Sequence, residues 1–140
     1  MSDFLTPDQR SQIHRLVGVP FVEEGRDRNV GLDCWGLLIE ASKVFGQVVP
    51  DYRVKVHAPD IHKVVQRDKG EWWVKVGKPT VGCVLSFAID PEMPDAEQHF
   101  GVYVGAGKFI HTLKKSHSII TKLEHDFWVN KLRGIYEWAK

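Results

Sequence analysis

The 140-residue chain has no apolar run approaching the ~20 residues needed to cross a bilayer, so no membrane span is expected. Its longest basic run is Lys114-Lys115, and 19 basic against 18 acidic side chains leave a formal charge of +1. That balance offers no positive field for a phosphate backbone, so nucleic acid is set aside as a partner. The first ten residues, MSDFLTPDQR, lack both a basic region and an apolar core, and no secretory leader is expected. Cysteine is scarce. Cys34 and Cys83 are the only two, too few for a disulfide framework, and free thiols are expected. There is no internal repeat, low-complexity tract or linker. Against these absences stand 43% hydrophobic residues and five tryptophans, which suit one domain over residues 1–140 with a single core.

Helix signals come first along the chain. Thr6-Pro7-Asp8-Gln9 reads as a capping box with proline in the first turn. An apolar stripe of Ile13, Leu16 and Val17 follows, and Gly18 is expected to end that helix. Residues 19–31 read as a loop. A second helix is expected from Cys34 to about Phe45, capped by Asp33, with Leu37, Leu38, Ala41, Val44 and Phe45 on its buried face. A short helix is expected over residues 59–67. The second half then turns to short β-rich runs at residues 72–76, 83–89, 99–105, 108–113 and 118–123, a helical turn near 125–132, and a last strand ending at Trp138. Helices followed by hairpin-spaced strands predict an α+β fold with an antiparallel sheet.

The stretch GLDCWGLL, residues 31–38, places Cys34 at the mouth of the second helix. Unpaired N–H groups and the helix dipole there favour a thiolate, the nucleophilic form of cysteine. The same N–H groups can hold an oxyanion, and Gly36 is expected to leave room beside the sulfur for a substrate backbone. Taken alone, Cys34 is equally compatible with a small buried hydrophobe. Cys83 lies in an apolar strand, where burial is the default.

The stretch HFGVYVGAGKFIH, residues 99–111, supplies two histidines. With Gly105-Ala106-Gly107 as a three-residue hairpin loop, 104 faces 108 and 99 faces 113. His99 and His111 then become diagonal neighbours on one sheet face, while Phe100, Val102 and Val104 point to the core. One imidazole can take a thiol proton while the other fixes its tautomer. Cys34, His99 and His111 are also suitable zinc ligands, although the close spacings of zinc motifs are absent. No cofactor or metal is expected.

In this order the motifs resemble the NlpC-type cell-wall peptidases, a papain-like cysteine peptidase family. GVPF before GRD resembles the entry to the active-site helix, LDCWG the nucleophile motif, and VGCVLSF the strand before the histidine. HFGVYVGAGKFIH resembles the histidine hairpin, and LRGIYEW the closing strand. The resemblance implies a papain-like α+β fold, Cys34 as nucleophile, His99 as general base and His111 as the orienting residue. Asp33, Trp35, Gly36 and Phe21 would border the cleft. It implies hydrolysis of an amide in peptidoglycan stem peptides, commonly between D-glutamate and a diamino acid. The wording GRD…GLDCWG is most similar to the phage-tail branch, which places the protein in a tail tip or its assembly, synthesised in the cytoplasm and acting at the cell wall. Other tail proteins would then be partners. The family often carries a tyrosine where Phe21 stands, an aspartate where Cys83 stands and a small residue where Trp35 stands. A silent assembly component and a thiol amidase or acyltransferase on the same scaffold are the alternatives.

Overall fold

The structure, a computed structural model, describes residues 3–52, 63, 66–68 and 73–138. Most of the helix expected over 59–67 lies outside the described residues.

Helix α1 spans Pro7–His14, and the capping box forms as the sequence predicts, with Thr6 accepting from the Gln9 N–H and Gln9 reaching back to the Thr6 N–H. The helix stops four residues before Gly18. Ile13 and Leu16 are buried, but Val17 turns outward at 40% exposure, because residues 15–18 continue as turns rather than helix. Two short strands, β1 (Arg26–Asp27) and β2 (Gly31–Leu32), pair as an antiparallel ribbon where a plain loop was expected. Two-residue strands carry too little apolar alternation to register in a sequence.

Helix α2 (Cys34–Val44) follows directly. Six further strands form one antiparallel sheet: β3 (Trp73–Lys75), β4 (Val84–Phe87), β5 (His99–Gly105), β6 (Lys108–His111), β7 (Ile119–Lys122) and β8 (Leu132–Trp138). The short helix α3 (Asp126–Val129) sits between β7 and β8. The spatial order is β3-β8-β4-β5-β6-β7, so the last strand of the chain inserts between the first two of the sheet. The architecture is α+β, as the sequence predicts.

Both faces of the sheet are covered. On one, Leu37, Leu38 and Ala41 of α2 pack against Phe100, Val102, Val104 and Ile110. Burying each leucine contributes roughly 1.5–3 kcal/mol. On the other, Leu85, Phe87, Tyr103, Phe109 and Trp128 form a second cluster with Cys83. Strand β5 lies between the two, and all seven of its residues are buried. Cys34 and Cys83 are both free and buried.

The β5–β6 turn is tighter than a three-residue loop. Gly105 pairs with Lys108, leaving Ala106 and Gly107 at the tip with φ of 53° and 74°. Positive φ at both central residues matches the twist of paired strands. A bulge between Tyr103 and Gly105 absorbs the extra residue, so Tyr103 faces Phe109 and Val102 faces Ile110. The register that brings the two histidines together is therefore the expected one.

Candidate active site

Asp33 caps α2 by accepting from the Gly36 N–H at 2.7 Å, which fixes the first turn and with it Cys34. The carboxylate is fully buried and its charge is met by Arg26, whose Nη1 lies 2.7 Å from the same oxygen. Arg26 also reaches Asp51 at 2.8 Å and donates to the carbonyls of Gly25 and Tyr52. One guanidinium thus ties β1, the start of α2 and the segment after α2 together. Its planar fork of donors suits that task better than a single ammonium.

Cys34 is 1% exposed, and the backbone N–H of Phe100, the residue after His99, lies near enough to its sulfur to favour the thiolate weakly. Burial raises the thiol well above its ordinary value. The Asp33 charge pushes the same way, and the Phe100 N–H and Arg26 oppose it more weakly. The expectation that the helix mouth yields a resting thiolate is corrected here. Helix-end effects amount to about 0.3–1 kcal/mol at exposed positions, less than the cost of burying an anion. In this arrangement burial favours the thiol form of Cys34.

His99 and His111 are bonded to each other, Nε2 to Nδ1 at 2.9 Å, and both rings are buried. Trp128 stacks on His99 with centroids 5.2 Å apart and 26° between planes, and meets His111 edge-on at 4.7 Å. Phe87 and Phe109 close the remaining sides. This apolar enclosure pushes the pKa of His111 down to about 4, so its ring is neutral at physiological pH. The structure brings the two histidines into direct contact and places Cys34 near the Phe100 N–H, one residue along from His99. A zinc site would require all three to converge on one point. Among the described residues, no three His, Cys, Asp or Glu side chains form a group able to hold a metal ion.

A cysteine at a helix start, a buried histidine pair on a β-hairpin and a sheet covered on both faces can be compared with known proteins. The model of the NlpC/P60 family matches residues 18–137.

The chain belongs to the NlpC/P60 family.

Family members are cysteine peptidases and related hydrolases. The chain is 28% identical over 129 residues to Gamma-DL-glutamyl hydrolase of Bacillus subtilis (strain 168), a match covering 89% of this chain and 27% of that protein. It therefore spans about a quarter of that relative's length. Among solved structures, the NlpC/p60 domain of the peptidoglycan hydrolase SagA superposes with a TM-score of 0.62 at 16% identity, covering 93% of this chain and 96% of that one. An NlpC/P60 family protein from Bacillus cereus ATCC 10987 gives 0.67 at 21% identity, covering 98% and 42%. At these identities the structural likeness speaks for the papain-like fold.

Within this NlpC/P60 domain, two side chains expected at the cleft sit elsewhere. The Trp35 indole is fully buried, donates to the Pro50 carbonyl at 2.9 Å and packs against Tyr52, Trp73 and Phe100. It fills the core where it was expected to border a cleft, because the second position of α2 points inward. Gly36 does not leave space for a substrate. A Cβ there would overlap the Gly25 carbonyl oxygen, so the glycine admits the β1 ribbon instead. Phe21 is half-buried against the main core, and its N–H donates to the Ser116 carbonyl at 3.0 Å.

Sequence reasoning missed Arg26, Trp128 and Thr121 as parts of this neighbourhood. The Thr121 Oγ1 lies 2.9 Å from Nε2 of His111. Extending the hairpin register to β7 would have exposed it: His111 faces Ile119, so Thr121 is the diagonal neighbour.

Proposed function

We propose that the chain is a cysteine peptidase that cleaves an amide in peptidoglycan stem peptides, between D-glutamate and a diamino acid, with Cys34 as nucleophile, His99 as general base and His111 as its orienter. The observation that carries this reading is the buried, hydrogen-bonded His99–His111 pair on the hairpin that starts beside the Cys34 end of α2. The resemblance to a γ-DL-glutamyl hydrolase and to a peptidoglycan hydrolase domain supports the substrate class.

Because His111 occupies Nε2 of His99, the proton must be taken at Nδ1. The Cys34 sulfur attacks the carbonyl carbon as its proton passes to His99. The oxyanion is held by N–H groups at the start of α2, the Gly36 N–H being already committed to Asp33. His99 then protonates the leaving amine. Water attacks the resulting thioester, giving its proton to His99, and Cys34 regains its thiol proton as the acid departs. With burial favouring the protonated thiol, this is general-base catalysis rather than attack by a pre-formed ion pair.

The similarity of GRD…GLDCWG to the phage-tail branch supports a place in a phage tail tip, where cleavage would open the wall during penetration. Digestion of defined muropeptides followed by mass spectrometry tests the function. Fragments ending in D-glutamate are expected. Cleavage only at an N-acetylmuramoyl–L-alanine amide would favour a thiol amidase, and no cleavage would favour a silent assembly component.

A further inference from the structure

Two proton arrangements satisfy the chain His99 Nε2, His111 Nδ1, His111 Nε2, Thr121 Oγ1, whose links are both 2.9 Å. In the first, His99 donates through Nε2–H to Nδ1 of His111, which in turn donates through Nε2–H to the threonine oxygen. In the second every donor is reversed: the Thr121 hydroxyl donates to His111, and Nδ1–H of His111 donates to His99. The second leaves neutral His99 with its proton on Nδ1 and no lone pair for the thiol. A neutral imidazole carries one proton, so the choice at His111 dictates the choice at His99.

We infer that Thr121 is a positioning residue that acts as the hydrogen-bond acceptor for Nε2–H of His111 and so holds His99 in the tautomer that can accept a proton. This rests on the proposed roles of His99 and His111. The placement is built into the sheet. Phe109 faces Thr121 and His111 faces Ile119, so the hydroxyl and the imidazole project from the same face of neighbouring strands. Thr121 is half-buried, so its own proton can be given to solvent while its lone pairs face the ring. A donor-only partner would enforce the unproductive arrangement, and an apolar one would leave the buried Nε2–H unmet, which favours moving the proton to Nδ1.

Side-chain ¹⁵N NMR of histidine-labelled protein reads the tautomers without any substrate. In the wild type, His111 is expected as the Nε2–H form with a bare Nδ1, and His99 likewise as Nε2–H. Thr121→Ser keeps the hydroxyl and should keep both signatures. Thr121→Val, close in shape, should shift His111 towards the Nδ1–H form and lower kcat about tenfold, the worth of one hydrogen bond, with KM little changed. An Nδ1–H signature for His111 in the wild type overturns the inference, even if the valine variant fails to fold. So does a Thr121→Val protein whose tautomers match the wild type. Wild-type protein with the expected tautomers but no peptidase activity would instead overturn the proposed function and leave the tautomer assignment standing.

Discussion

At the scale of single residues, charge placement decides what the site can do. His111 is held neutral by burial, with its pKa pushed from 6.5 down to about 4. The unfolded chain therefore binds a proton that the folded chain refuses between those values. Stability from this group is complete above about pH 6.5 and is lost as pH falls through the window towards 4. A shift of this size corresponds to about 3 kcal/mol. Urea unfolding at pH 7 and pH 4.5 should show the loss, and His111→Asn should flatten that part of the profile, since the amide does not titrate. Arg26 is the second such residue. Removing it leaves the Asp33 carboxylate fully buried beside Cys34 with its cation gone. Arg26→Ala should cost about 3–5 kcal/mol in denaturant unfolding. Arg26→Lys, which keeps the charge but not the fork, should recover only part. Neither effect is visible in the letters G-R-D, because the partner carboxylate lies seven residues away and meets Arg26 only once the ribbon forms.

At the scale of elements, the approach of the β1 ribbon to α2 depends on one missing methyl group. A Cβ at Gly36 would run into backbone, the Gly25 carbonyl, which cannot rotate aside as a side-chain end would. Gly36→Ala should therefore destabilise by roughly 1–3 kcal/mol and lower turnover by displacing the Cys34 turn. Gly77→Ala is the matched control. Its Cβ would meet open space, and a change within about 0.5 kcal/mol is expected by thermal melting. The elements themselves were largely legible. The Thr6 capping box, the Asp33 cap, and the run from His99 to Gly105 carry local signals strong enough to set boundaries. The histidine register survived an error in loop length because a bulge compensated for it. What stayed hidden depends on contacts distant in sequence. The inward turn of Trp35 is decided by Tyr52, Trp73 and Phe100, and the protonated state of Cys34 by how deeply α2 docks.

At the scale of the whole molecule, the sheet divides two cores, and Cys34, the first residue of α2, sits near the start of β5, the strand that begins with His99. One face carries α2 and the main core, the other the aromatic cluster that encloses the histidine pair. The family, read from motifs running from GVPF to LRGIYEW, is matched over residues 18–137. No helix among the described residues is long and apolar enough to cross a membrane. Trp128 reaches the histidines because α3 lies between β7 and β8, a placement that follows from the insertion of β8 beside β4 and could not be read from the local pattern. The central claim is that this scaffold makes Cys34, and not the equally buried Cys83, the nucleophile. The most direct measurement is the rate of release of the diamino acid from a γ-D-glutamyl-diamino acid peptide by the wild type, Cys34→Ala and Cys83→Ala proteins, each verified as folded. Cys34→Ala should lose at least about a thousandfold in turnover, as expected when a covalent nucleophile is removed, while Cys83→Ala stays within a few-fold of the wild type. Turnover that survives in Cys34→Ala, or disappears in folded Cys83→Ala, would contradict the assignment.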